Sequence, residues 1–401
     1  MQVKYFNSNF DNNQSANFFD KKIIDTIKNF PAFNIIFNEN LLIKTLSITK
    51  EFKLNKKKII LFGTGGSNLG ARALCNIKYN RDIQIEFYDN IDPNTFENSF
   101  EAIDFKTTGF IVVSKSGSTP ETLAQFSSLY QKAIQKNKLD EFLSNILVIT
   151  EFNNSPLYKI AKDIKCTLLE HENDIGGRFS IFSNVGIIPA IILGIDINQL
   201  YRGATDVINN FEKYSSLNLG KYLFLQKEKK YNSSVLMTYS DNLYFYGKWY
   251  LQLWAESIGK NKKGITPIHS VGTTDQHSQL QLYLDGPSDK FFTFITTNHS
   301  KKGPLINEDI FKDTNINFFN NKLLGDLMQA EQYATLETFK QNNFSIREVF
   351  IPKIDEKNVG RLLALSIIET ISSCTYLNVN PFDQPAVEQS KILTKKYLIQ
   401  N

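Results

Sequence analysis

The decapeptide VSKSGSTPET, Val113–Thr122, places Ser114, Ser116, Ser118 and Thr119 around Lys115. Hydroxyls donate to oxygen acceptors and the lysine adds positive charge, so the stretch suits a phosphate or a similar oxyanion. Thr119 reads as a helix N-cap with Pro120 at the first helical position, which leaves the amides of that turn free to face an anion. A Ser/Thr-rich capping loop without a ligand has the same composition. A second anion-type turn, GTGGSNLG (Gly63–Gly70), carries Gly66 and Ser67. Its glycines let backbone N–H groups come close to a ligand, at the positive end of the helix that follows. A dinucleotide site is the rival. The G-x-G-x-x-G spacing fails because Asn68 stands at the last glycine position, although Glu86 and Asp89 lie where a ribose-binding acid would.

Four further stretches could carry chemistry. In GGRFSIFSNVG (Gly176–Gly186), Gly176 and Gly177 precede Arg178, which would let its guanidinium come close to a ligand in a cleft. A lone arginine is more often a surface ion-pair partner. In WYLQLWAESIGKNKKG, Trp249, Leu253 and Glu256 fall at i, i+4 and i+7, on one helix face. A carboxylate in line with an apolar stripe suits a general base; a solvated helix-surface glutamate gives the same pattern. Thr266–Pro287 holds two of the four histidines, His269 and His277, without the spacing of a metal site. The turn before His277 would present its ring at a loop edge, and the alternation in HSQLQLYL reads as a strand. In NPFDQPAVEQSKIL, Gln384, Val387 and Lys391 share one face if the segment is a single helix. Lys391 also reads as a plain surface lysine.

The elements that must position these residues are legible. KIILFGTGG, IQIEFYDN, GFIVVSKSG and NILVIT read as strands at Lys58–Gly66, Ile83–Asn90, Gly109–Gly117 and Asn145–Thr150. NLGARALCNI (Asn68–Ile77) has helical character, and helices start at Pro120 after Thr119 and at Pro156 after Ser155. This alternation predicts a parallel sheet covered by helices. Lys-rich Tyr214–Tyr231 reads as a connection to a second α/β lobe, with a strand at Ser233–Asp241, a helix at Leu243–Ile258 and a strand at Lys290–Asn298. The second lobe repeats the strand–turn–helix order of the first. The C-terminal third reads as mostly helical and ends in a helix over Ala386–Gln400. The division expected is 1–210 and 230–401.

Bulk properties narrow the classes. The 401 residues are 42% hydrophobic and 21% charged, with net charge +4, which argues against disorder and against a nucleic-acid partner. Cys75, Cys166 and Cys374 are odd in number and far apart, which points to a reducing compartment. The N-terminus lacks the apolar stretch of a signal peptide, and the apolar run Gly186–Ile195 is shorter than the ~20 residues a membrane span takes. A cytoplasmic location and a buried helix at that run are expected.

Taken in order, the six stretches resemble the glucose-6-phosphate isomerase (phosphoglucose isomerase) family, short bacterial type. The matches are Gly63–Gly70, Ser114–Thr122, Gly176–Ser183, ESIGK at Glu256–Lys260, GTTDQH at Gly272–His277 and QPAVEQSK at Gln384–Lys391, together spanning over four-fifths of the chain. The resemblance implies an α/β fold of two sugar-isomerase (SIS) lobes with a C-terminal helix. It implies isomerisation of glucose 6-phosphate to fructose 6-phosphate through a cis-enediolate, with neither metal nor cofactor. Gly66, Ser67, Ser114, Lys115, Ser116 and Thr119 match phosphate-binding positions, and Gly177 and Arg178 match the turn whose arginine stabilises the enediolate. Glu256 matches the base, His277 and Lys391 the ring-opening pair, and Gln384 a substrate contact. His277 is expected to reach the site from a partner subunit, implying a homodimer. The resemblance reads the segment after His277 as helix, and that reading is preferred to the strand. Three alternatives stay open: a bifunctional phosphoglucose/phosphomannose isomerase, a non-catalytic SIS module that binds a sugar phosphate, and a nicotinamide enzyme.

Overall fold

The computed structural model describes residues 1–7, 21–78, 82–210, 231–312 and 314–400. The apolar runs of the first half form a five-stranded, wholly parallel sheet. Its strands are β2 (Lys58–Phe62), β3 (Gln84–Tyr88), β4 (Thr108–Val113), β5 (Ile146–Thr150) and β6 (Thr167–Glu170), in the order β3-β2-β4-β5-β6. Leu61 pairs with Ile111, and Val112 with Val148. The central strands are buried on both faces, which is why they read as continuous apolar runs and not as alternating ones. The helix Pro120–Gln135 packs on one face and the apolar helix Asn184–Ile192, with Pro189 inside it, on the other.

A second sheet has the order β1-β10-β9-β7-β8, built from β1 (Gln2–Phe6), β7 (Ser233–Thr238), β8 (Thr266–Val271), β9 (Lys290–Thr297) and β10 (Ile346–Ile351). It is parallel except for β1, which runs antiparallel to β10 at its edge. The first residues of the chain thus join the second sheet, across the chain-order division at 1–210 and 230–401. The connection expected at Tyr214–Tyr231 lies, apart from Tyr231, outside the described residues. β10 interrupts the C-terminal third between the helices Leu324–Gln341 and Glu356–Leu377. The segment after His277 is the helix Leu280–Asp285, so the alternation in HSQLQLYL is not a strand signal here.

Both sheets reverse their strand order beside their first parallel strand, between β2 and β4 in one and between β7 and β9 in the other. Ligands of open α/β sheets bind at the carboxyl ends of strands at such points. The two halves meet through one apolar core shared by the helices Asn184–Ile192, Ile197–Ile208, Tyr244–Ile258 and Glu356–Leu377. Tyr246, Trp249, Tyr250, Leu253 and Trp254 bury one side of Tyr244–Ile258, and Gln252 and Glu256 lie on the partly exposed polar edge beside it. Beneath it, Arg347 and Glu369 form a buried ion pair, and Tyr250 Oη donates to Glu369 Oε1 at 3.1 Å. No helix among the described residues is long and apolar enough to cross a membrane.

Candidate active site

The turns after β2 and β4 flank the reversal point of the first sheet. After β2, Gly65–Ser67 form one turn of 3-10 helix before the helix Leu69–Cys75. Gly66 is buried because that turn touches another. A β-carbon on Gly66 would lie 2.3 Å from the carbonyl carbon of Gly177 and 2.7 Å from Arg178 N. The absence of a side chain at Gly66 therefore lets two backbone turns meet. Ser180 bridges the contact, donating to Gly177 O at 2.7 Å and lying 3.3 Å from Gly66 O.

After β4, Gly117 has φ +61°, and a β-carbon there would sit 2.1 Å from Ser155 Oγ. That glycine lets the hydroxyl loop fold onto the next strand–helix junction. Ser114 Oγ and Thr119 Oγ1 are 2.8 Å apart, and Ser116 Oγ accepts from Ser118 N at 3.3 Å. Thr119 occupies the N-cap of Pro120–Gln135 but spends its hydroxyl on Ser114 and caps no amide. Lys115 Nζ donates to Asn173 O at 2.8 Å and stands 3.6 Å from Glu151, so it ties the loop to the segment leading into Arg178. In that segment burial pushes the Glu172 carboxyl up to about 7 and holds the His171 imidazole down to about 4.

Arg178 is the centre of the site. It is 2% exposed and donates from every guanidinium nitrogen. Nε reaches Ser257 Oγ at 2.9 Å; Nη1 reaches Glu256 Oε2 at 3.1 Å and Gln384 Oε1 at 2.8 Å; Nη2 reaches the carbonyls of Pro381 and Asp383. Trp249 Nε1 holds the Arg178 carbonyl at 3.1 Å. Burial lowers the guanidinium's pKa from its ordinary value, against the pull of the Glu256 charge. Arginine remains a cation under such conditions.

Glu256 shares a face of Tyr244–Ile258 with the buried Trp249 and Leu253, as the i, i+4, i+7 spacing implies. Its carboxylate is 35% exposed and faces a guanidinium, so the apolar stripe lies beside it without enclosing it. Its other oxygen, Oε1, accepts from Gln252 Nε2 at 2.8 Å. Sequence reasoning missed Gln252, although it lies one helical turn before Glu256 and so on the same face. The Gln252 amide also abuts the first anion-type turn, since a β-carbon on Gly65 would lie 3.1 Å from Nε2. Gly65, Gln252, Glu256, Arg178 and Gln384 thus form one continuous chain of contacts.

Three of the expected residues are arranged otherwise. Gln384 and Lys391 do not share a helix face: a 3-10 turn over Pro385–Val387 intervenes and the last helix is Glu388–Gln400. Pro385 disfavours helical backbone at the residue before it, and Gln384 adopts φ −153°, ψ 65°. Lys391 is exposed and pairs with Glu388 at 2.7 Å. His277 follows the turn Thr274–Gln276 on the surface, and its ring makes no hydrogen bond or ion pair among the described residues. Neither reaches the Arg178–Glu256 cluster within this one chain.

The chain is similar to known proteins. The family described as phosphoglucose isomerase matches residues 50–400. A probable glucose-6-phosphate isomerase of Methanococcus maripaludis is 33% identical over 96% of this chain and 88% of its own length. A glucose-6-phosphate isomerase of Campylobacter jejuni is 34% identical over 85% of each chain. Among solved structures, a hypothetical protein of Thermus thermophilus superposes with TM-score 0.86 at 26% identity, covering 94% of this chain and 93% of that one.

Proposed function

The chain belongs to the phosphoglucose isomerase family, and we propose that it isomerises glucose 6-phosphate to fructose 6-phosphate and back with Glu256 as the base and Arg178 as the enediolate's counter-charge. The observation that carries these roles is the Glu256 carboxylate, fixed on one oxygen by Arg178 and on the other by Gln252. A carboxylate so oriented can take a proton from C2 of an open-chain sugar and return it to C1. Negative charge then develops on the oxygens at C1 and C2. A buried guanidinium beside the base stabilises charge that exists only along the reaction path, which raises kcat.

The hydroxyl loop is assigned to the phosphate. Gly66 and Ser67 after β2, and Ser114, Lys115, Ser116 and Thr119 after β4, flank the reversal point where an open sheet binds ligands. The phosphate does no chemistry, and its binding positions C1 and C2 against Glu256. Gln384, held by Arg178, is assigned to the sugar end.

His277 and Lys391 are assigned to ring opening, in a site completed by a second copy of the chain in the cytoplasm. Three features support this. His277 is exposed, with a ring unpartnered among the described residues. The helix Glu388–Gln400 buries none of its residues and leaves Ile392, Tyr397, Leu398 and Ile399 in solvent. A cavity of about 770 Å³ opens beside Glu256 and is lined also by Lys260, Gln384 and Val387.

The test incubates the pure protein with glucose 6-phosphate alone and measures fructose 6-phosphate. Glu256→Gln should lose roughly 10²–10⁴-fold in kcat, the scale of general-base catalysis, with KM little changed. Near-normal turnover removes the assignment. Glu256→Gln and His277→Gln chains, each inactive alone, should regain activity when mixed and refolded together. No recovery refutes the shared site.

A further inference from the structure

Lys260, the last residue of ESIGK, has no role in the steps above, yet its side chain is only 9% exposed. It follows the end of Tyr244–Ile258. Its Nζ donates to Ser257 O at 2.8 Å and to the carbonyl of Asn380, and stands 3.2 Å from Asp383 Oδ1. Asn380 and Asp383 belong to the loop that delivers Gln384. Arg178 grips the same loop at Pro381 O, Asp383 O and Gln384 Oε1. Two cations thus hold the 380–384 loop, Lys260 at Asn380 and Asp383 and Arg178 at Pro381, Asp383 and Gln384. Phe382, between them, stacks on Phe30 at 5.5 Å.

We propose that Lys260 is a positioning residue: it holds the 380–384 loop in place when Arg178 turns from that loop to the reacting sugar. The proposal rests on the enediolate role of Arg178. All guanidinium nitrogens of Arg178 are committed to protein acceptors in this structure. Stabilising an enediolate oxygen requires at least one Nη contact, to Glu256, Gln384 or a loop carbonyl, to be exchanged for substrate. A loop fastened by Arg178 alone would loosen at that moment, and Gln384 with it. Lys260 fastens the loop at Asn380 and Asp383, contacts the substrate does not compete for. Its own position is fixed by the Ser257 carbonyl, one residue after the base. The loop is thereby referenced to Glu256 even while Arg178 changes partners.

The test compares Lys260→Met and Lys260→Arg with wild type. Lys260→Met should lower kcat roughly ten- to a hundredfold, the effect of moving a site group by about 1 Å. KM and competitive inhibition by inorganic phosphate should stay within about threefold, because the phosphate turns lie on the other sheet. Lys260→Arg, which retains charge and reach, should recover most of the kcat. A merely structural lysine would lower the melting temperature without this split between kcat and phosphate affinity. Wild-type kcat in Lys260→Met, or a matching loss of phosphate affinity, overturns the proposal. If Lys260→Met does not fold, Asp383→Asn decides, since its carboxylate is 52% exposed. A several-fold loss of kcat with phosphate inhibition unchanged supports the proposal; unchanged kcat overturns it. A wild-type protein that does not isomerise glucose 6-phosphate would instead refute the functional reading itself.

Discussion

The contact between Gly66 and Gly177 makes an asymmetric prediction. A β-carbon on Gly66 would lie 2.3 Å from Gly177 C, 2.6 Å from Gly177 O and 2.7 Å from Arg178 N. Non-bonded carbons sit at about 3.5–4.0 Å, so Gly66→Ala must drive the two turns apart by more than ~1 Å. The atoms in the way are backbone and cannot rotate aside. Arg178 is the residue displaced, and with it its contact to Glu256. A misplacement of about 1 Å can cost ~10²-fold in rate, equivalent to ~2.7 kcal/mol of transition-state stabilisation. Overpacking should also cost about 1–3 kcal/mol in stability. The reciprocal change is mild: a β-carbon on Gly177 meets Gly66 Cα at 3.5 Å and Gly66 C at 3.9 Å, ordinary contact distances. Gly177→Ala should stay within about threefold of wild type. A coupled assay for fructose 6-phosphate, with thermal melts of both variants, separates the cases. Equal damage from the two alanines, or near-normal kcat in Gly66→Ala, would show that the turn contact does not position the arginine.

Gly117→Ala forces a left-handed residue and a clash with Ser155, at φ +61° and 2.1 Å. It should raise KM for the sugar phosphate by about tenfold or more, as ~1.4 kcal/mol of strain in the phosphate loop would; initial rates against substrate concentration check this. Glu369→Gln strips the buried Arg347 of its carboxylate, bonded at 3.0 Å from both Nη atoms. It should cost about 3–5 kcal/mol in urea unfolding, because an uncompensated charge stays inside. Glu172 titrates at about 7 in the fold against 4.5 ordinarily. The native state therefore binds more protons between those values, and stability falls as pH rises from 4.5 through 7, by at most ~3 kcal/mol. Glu172→Gln should melt higher than wild type at pH 8 and equally near pH 4.5. His171 works in the opposite sense, held neutral by burial, so its contribution is lost as pH falls from 6.5 towards 4. Melts of Glu172→Gln and wild type across pH 4–8 check both signs.

What the sequence disclosed follows from how local each feature is. Ile59–Phe62 and Phe110–Val113 announce a doubly covered parallel sheet because every position is buried. Pro120 and Pro156 mark their helix starts because proline fits the first turn. Glu256 was legible from helical spacing, and Gln252 was available from the same spacing. The features that local spacing did not show depend on distant partners. Gly66 and Gly177 are 111 positions apart, and nothing near either says that the other fills its space. The Gln384–Lys391 face failed for a local reason, since Pro385 breaks the helix that the spacing assumed. β1 is five residues of ordinary alternation, and only its pairing with β10 reveals it as an edge strand of the second sheet.

The two halves contribute different kinds of group, and this explains why one would not suffice. The first sheet offers turns of glycine and hydroxyl after β2 and β4, which can hold an anion but contain no base. In the second half, β7 is followed by Tyr244–Ile258, whose polar edge offers Gln252 and Glu256. A sugar phosphate has its charge at one end and its reacting carbons at the other, so both offerings must face one crevice at a fixed separation. Arg178 sets that separation. Its backbone lies against the Gly66 turn of the first sheet, its carbonyl is held by Trp249, and its guanidinium grips Glu256 and Ser257. It is therefore a structural joint between the halves as well as the counter-charge we propose for the reaction. A residue with both duties cannot be replaced by a shorter cation. Arg178→Lys keeps the charge but has no Nε and no second Nη, and so loses the contacts that register one sheet against the other.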